Sequence, residues 1–245
     1  MKRVMALITL LCLATKPGTA LAAGDQVNTN IVRWSKGVYT YQTTKAQRQR
    51  GREDWMLTVH PDGSRTMMAF VNNFDADVQF NMIHRVAPTF RPLETFLTHW
   101  VAGESRGSGH FVIKGNHLSA TVTGQPAEIV EVPLEFAVHP HPVSTDSWRG
   151  WEYRKEEGGV QLAKVYNIAV APDAPSPLMG VLEDQTVEWL GSDRITVAAG
   201  TFDTERYRFR GNADIWIAGP DRIVVKYVYP DLDREYILTS YETSD

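Results

Sequence analysis

The chain has 245 residues, 43% of them hydrophobic, with 25 Lys and Arg against 29 Asp and Glu. This mildly acidic balance argues against nucleic acid or an anionic membrane as partner. The one cysteine, Cys12, leaves no disulfide and no cysteine-based zinc or iron–sulfur centre.

The start of the chain reads as an export leader. Lys2 and Arg3 form a positive n-region, residues 4–14 an apolar run, and Ala20-Leu21-Ala22 the small-residue cleavage pattern. The run is too short to span a bilayer core of about 30 Å. Cys12 lies inside the run and does not follow a small residue at its end, so a lipid-modified cysteine does not fit. The expectation is a signal peptide over residues 1–22 and one β domain over 23–245, located in the periplasm or secreted. Cleavage would remove Lys2, Arg3, Lys16 and Cys12, leaving a net charge of −7. A domain of about 220 residues can bury a core without disulfide staples.

Beyond the leader the pattern is mainly strand. Residues 32–43 alternate and hold Trp34, Tyr39 and Tyr41. Residues 47–52 form a basic, polar turn. Residues 53–60 and 64–71 flank Pro61-Asp62-Gly63, a hairpin signal. In 76–84, Val78, Phe80, Met82 and His84 share one face by period two. Residues 91–102 place Leu93, Phe96, Leu97 and Trp100 three or four apart, which predicts a short helix. A glycine-rich loop (103–109), a hairpin around Gly115-Asn116 and a strand interrupted at Pro133 follow. Residues 139–159 are irregular and aromatic, and 161–170 form another strand. The remainder is a meander over 185–190, 194–198, 201–210, 213–217, 222–229 and 234–241, with turns at Gly219-Pro220-Asp221 and 230–233. The expected fold is mainly β: a curved antiparallel sheet, half-barrel or barrel, of about twelve strands with one or two short helices.

Residues 197–227 (VAAGTFDTERYRFRGNADIWIAGPDRIVVKY) and 141–153 (HPVSTDSWRGWEY) resemble exported bacterial proteins of a domain-of-unknown-function family. Those proteins are in turn distantly similar to the lipoprotein-carrier (LolA/LolB-like) half-barrel. The resemblance implies a curved sheet and an envelope location, and no catalytic residues.

Several residues invite chemistry. Gly103-Glu104-Ser105-Arg106-Gly107 matches the serine-hydrolase elbow, but that elbow needs a strand before it and a helix after it, which this segment lacks. His139 and His141 could present two imidazoles to a metal, yet a third ligand is wanting, and a surface loop is the expectation; no metal site is called. His84 would be a polar group on an apolar face, able to orient a ligand or transfer a proton. Arg206, Arg208 and Arg210 share one strand face and form either an anion clamp or a solvated row. Asp231, Asp233 and Glu235 lack the rest of a calcium loop. Trp148, Trp151 and Tyr153 fall in the irregular segment, where a lid could form. No nucleotide loop or metalloprotease motif appears, so no cofactor is indicated.

The function these features point to is binding of an apolar or aromatic small molecule or lipid in a β-lined cavity. The expected ligand contacts are Phe80, Met82, His84, Trp148, Trp151 and Trp216. One alternative is a cofactor-free lyase, isomerase or hydrolase in the same cavity, with His84 as acid/base and Arg206 steadying negative charge. Another is a structural envelope protein without a ligand.

Overall fold

The computed structural model describes residues 31–174 and 178–244; the predicted leader with Cys12 lies outside the described residues. Fifteen strands form one sheet among the described residues. The first eight are β1 (Arg33–Gln42), β2 (Gln49–Val59), β3 (Arg65–Asn73), β4 (Val78–Val86), β5 (Pro92–Val101), β6 (Glu104–Lys114), β7 (His117–Val122) and β8 (Glu128–Glu131). They run as an antiparallel meander. A short β9 (Ala137–His139), a four-residue helix α1 (Val143–Asp146) and a 3-10 turn (Ser147–Gly150) come next. The chain then returns through β10 (Val160–Ile168), β11 (Gly180–Val197), β12 (Gly200–Phe209), β13 (Ala213–Ala218), β14 (Ile223–Tyr229) and β15 (Arg234–Thr243).

The strand order runs β8 to β1, then β15 back to β9, so β1 is flanked by β2 and by the last strand. Every pairing is antiparallel except β9 on β10. Strands β8 and β9 end the sheet and do not pair with each other, so the sheet curls without closing. Alternation sets its two faces. Tyr39, Tyr41, Leu57, Met67, Phe80, Met82, Leu97, Phe111, Tyr207, Phe209, Ile215 and Tyr227 point inward and are buried.

The concave side is filled by the chain itself. Residues 136–150 thread through it, and α1 touches β14 on one side and β3 on the other. Trp148, Arg149 and Phe136 are among the largest fully buried side chains. Glu53 on β2 fixes the start of this plug: its Oε2 accepts from the Val143 amide (2.7 Å) and the Tyr41 hydroxyl (2.5 Å), and its Oε1 from the Ser144 amide (3.0 Å). The curved antiparallel sheet with a short helix is thus the fold class expected from the pattern, although the helix lies at Val143–Asp146 and fills the interior where a cavity was expected.

Five local expectations change. Residues 91–102 are strand β5, not helix. Leu97 lies inside with Thr95 and His99, while Phe96 faces out. A run in which both faces carry apolar residues satisfies the helical spacing by accident, and pairing with β4 and β6 decides it. The basic stretch 47–52 enters β2, and the glycine-rich 103–109 is mostly β6. Residues 185–197 belong to one long strand, β11, with a bulge at Leu190, rather than to two. In the aromatic segment, residues 139–150 are neither surface loop nor lid but part of the interior plug, and Trp151 and Tyr153 pack half-buried against the core.

Candidate functional site

One end of the curled sheet opens into a recess of about 420 Å³. Its walls come from the ends of β1, β3, β4, β12, β14 and β15 and from the segment after β10. Val71, Val78, Phe80 and Leu232 supply apolar surface, and Tyr41, Tyr229 and Tyr236 amphipathic rings. The floor is polar: His139, His141 and Asp146 reach it from the plug, and Arg210 and Arg234 stand at the rim.

The floor belongs to a buried network. Nδ1 of His139 lies 2.9 Å from Asn167 Oδ1, an acceptor, so that nitrogen carries a proton. Nε2 of the same ring is 2.8 Å from Asp146 Oδ1, and Arg149 Nη2 is 3.2 Å from that oxygen. Neither nitrogen is aligned on it, and Oδ1 makes no proper hydrogen bond. Behind Asp146, Arg149 donates to Gln185 Oε1 (2.9 Å) and to the Tyr227 hydroxyl (2.7 Å), which meets the Tyr229 hydroxyl. His141 stacks on His139 at 4.0 Å between ring centres and donates from Nε2 to the Ile168 carbonyl (2.6 Å).

Burial sets the protonation of this network. Desolvation pushes the Asp146 carboxyl up to about 6, against the pull of Arg149. Desolvation also drives His139 and His141 well below the ordinary imidazole value, so both are neutral near pH 7. His141 adopts φ 78°, a left-handed conformation costly for a residue with a Cβ, and it does so at the pocket floor.

The structure scatters the residues expected to form one site. Phe80 lines the recess. Met82 is buried in the core, and so is His84: its Nδ1 is 2.8 Å from Thr95 Oγ1 and its ring rests 5.7 Å from Trp148. Burial lowers His84 to about 4, so it is a neutral core imidazole, and it is not among the residues that line the recess. Trp148 is a core anchor whose Nε1 donates to the Asp221 carbonyl (3.1 Å); Trp151 is half-buried and donates to the Phe136 carbonyl (3.1 Å). Trp216 lies on the convex face, with Arg206 stacked on it at 4.9 Å. Arg206 and Arg208 both pair with Asp214 there. His84 and Arg206 thus sit on opposite faces of the sheet and cannot flank one substrate. Of the arginine row, only Arg210 reaches the recess, and it pairs with Glu183.

His139 and His141 appear in the sequence as a metal candidate or a surface loop; they are instead buried floor residues, and no group of three metal-ligating side chains exists among the described residues. Sequence reading misses Asp146 and Arg149. Their i, i+3 spacing on one helical turn is the signal that marks them as a pair.

A second hollow, of about 650 Å³, lies on the convex face. Met56, Met68, Ile83 and Phe96 pair across β2 to β5 in one row, and Phe70 lies beside it, all exposed.

The fold defines a β-barrel-like protein with a filled interior and a recess at one end of the curled sheet. No family model matches the chain, and no curated protein matches it. Among solved structures it is similar to a β-barrel-like protein of the domain-of-unknown-function family DUF1849 from Brucella abortus. The TM-score is 0.51 and the identity 8%, over 87% of this chain and 97% of that one. A DUF1089 family protein from Pseudomonas aeruginosa gives 0.45 at 13% identity, over 74% of this chain and 90% of that one. The first shows a shared β-barrel-like fold; the second lies too low to add to it.

Proposed function

We propose that the protein is an exported binder, periplasmic or secreted, that holds an apolar or aromatic small molecule or lipid group in the mouth of its curled sheet. The observation that carries this reading is the recess itself. Its volume lies in the range of small-molecule sites, and an apolar wall faces a few convergent polar groups. The interior beyond it is filled by the plug, so the ligand enters at the mouth and does not occupy the barrel axis. The resemblance of residues 141–153 and 197–227 to exported domain-of-unknown-function proteins, a family distantly similar to the lipoprotein-carrier half-barrel, is consistent with such a role.

N-phenyl-1-naphthylamine, an uncharged fluorescent aromatic, tests it. The expected result is a saturable rise in fluorescence that Val78→Trp abolishes by filling the recess while the Tm shows a folded protein. Should that variant unfold, Leu232→Trp at the exposed rim serves instead. Binding that both folded variants leave unchanged would refute the site.

A structural envelope role is the second reading, favoured by the convex row of Met56, Met68, Ile83 and Phe96, since contiguous exposed apolar surface marks interaction sites. It predicts that Met68→Lys alters association of the protein with itself or the envelope without altering probe binding.

A further inference from the structure

The mouth holds a charge pattern that the apolar reading does not use. Asp146 is the one carboxylate among the residues that line it, against the guanidinium groups of Arg210 and Arg234. Arg210 is engaged by Glu183, whereas Arg234 has no carboxylate partner among the described residues and its charge acts on Tyr236 beside it. Tyr236 contributes a ring to the wall. The rim therefore offers an unneutralised cation next to apolar surface, the arrangement that recognises an acid group on an apolar body.

The floor works against that anion in one protonation state only. His139 spends its Nδ1 proton on Asn167, so the neutral ring presents a lone pair at Nε2, 2.8 Å from an Asp146 oxygen that has no aligned donor. A carboxylate oxygen that is nine-tenths buried, with an imidazole nitrogen at 2.8 Å but no donor aligned on it, is left open to take a proton itself. With the proton absent, Asp146 is an anion under the ligand's charge; with it present, the floor is neutral or positive.

We propose, on the basis of the ligand-pocket reading above, that the mouth takes an organic anion with an apolar or aromatic body, and that its uptake is coupled to one proton held by Asp146 and His139. Arg234 faces the acid group, Val71, Val78 and Phe80 face the body, and the Asp146–His139 pair takes up the proton as the anion arrives. Binding tightens as pH falls toward 6, the value to which burial raises the Asp146 carboxyl, and by linkage the bound anion raises the pair's proton affinity in turn.

The other groups that face Asp146 do not supply this dependence. Arg149 from the 3-10 turn stays charged, and Arg210 at the end of β12 is paired with Glu183. Tyr39 and Tyr41 on β1, Tyr227 on β14 and Tyr236 on β15 are held up by burial and stay neutral; Tyr229 is tied to Tyr227 by its hydroxyl. His141 is neutral through desolvation and donates to the Ile168 carbonyl. Arg50 on β2 is paired with Asp75. Glu53 on β2 does titrate near the same pH, raised to about 7, but it is closed off by Tyr41 and two backbone amides and lines no recess.

The test uses two probes with one skeleton: 8-anilinonaphthalene-1-sulfonate, anionic at every pH used, and N-phenyl-1-naphthylamine, its uncharged counterpart. The sulfonate is expected to bind about tenfold more tightly at pH 5.5 than at pH 7.5, within the usual span of coupling between sites. The uncharged probe should show no such change. Asp146→Asn should bind the sulfonate at pH 7.5 as tightly as the wild type does at pH 5.5, with a flat profile, whereas Glu53→Gln should keep the wild-type profile. Arg234→Gln should weaken the sulfonate and spare the amine, and Met68→Lys, on the convex hollow, should change neither. If Asp146→Asn does not fold, calorimetry of the wild type in two buffers of different ionisation enthalpy decides, because coupling requires net proton uptake on sulfonate binding. A pH-independent sulfonate affinity, or a pH dependence that survives Asp146→Asn, overturns the inference. Amine binding blocked by Val78→Trp, with no sulfonate binding, overturns it and leaves the pocket reading standing; if neither probe binds, both fall.

Discussion

Burial raises the Asp146 carboxyl to about 6 and lowers the His84 imidazole to about 4, so the two residues act on stability in opposite senses. Asp146 binds its proton more tightly folded than unfolded. Its contribution is present at low pH and is lost as pH rises through about 6. His84 binds its proton less tightly folded; its contribution is present above the ordinary imidazole value and is lost as pH falls through about 4. Each is worth on the order of 3 kcal/mol at most, so between pH 4 and 6 these two contributions largely offset one another. Relative to the wild type, Asp146→Asn should lose Tm toward acid, because the Asp146 contribution is removed, while His84→Gln should gain it; two variants whose Tm profiles run parallel to the wild type would contradict these assignments. Of the two residues, His84 is visible in the sequence by alternation with Val78, Phe80 and Met82. Its role is not, because facing inward means facing a cavity or facing Trp148, and only packing tells which.

At the scale of elements, the plug and the sheet depend on each other. Trp148 packs against His84 and Phe90, and its indole nitrogen is satisfied by the Asp221 carbonyl. Trp148→Ala should cost about 3–5 kcal/mol, read as a lower denaturant midpoint, and a loss below 1 kcal/mol would show that the plug is not what the sheet packs on. Where β1 meets β15, Gly37 has no room for a side chain. A Cβ there would stand 2.5 Å from the Ser240 carbonyl oxygen and 2.7 Å from the Trp55 ring. Gly37→Val should therefore unfold or strongly destabilise the protein by circular dichroism, although most strand positions favour valine. Residues 91–102 show the limit of periodicity. Leu93, Phe96, Leu97 and Trp100 fit a helical stripe, but Phe96 continues the convex apolar row and Leu97 the core, so two different faces mimic one.

For the whole molecule, the governing feature is the pairing of β1 with β15, the first strand with the last. Neighbours so far apart in sequence must close a long loop before they gain any contact. Refolding in stopped-flow experiments should accordingly take milliseconds to seconds rather than microseconds. The same closure builds the mouth, because it brings Tyr41 from β1 and Tyr236 from β15 into edge-on contact at 4.6 Å beside the ends of β3 and β4.

The sequence by itself determined the β class, most strands, the hairpin turns and the curved antiparallel sheet, since alternation and turn chemistry act over a few residues and are written in order along the chain. It also carried Phe80 to the recess, because one inward-facing position follows from the next. What only the tertiary structure decided is which inward or irregular residues meet. His139, Asp146 and Arg149 come together because a segment without periodicity threads the interior of the sheet. His84 and Arg206 part because the sheet stands between them. Burial then fixes the chemistry: the same desolvation that turns His84 into a core residue leaves Asp146 and His139 with one place for a proton at the edge of an open pocket.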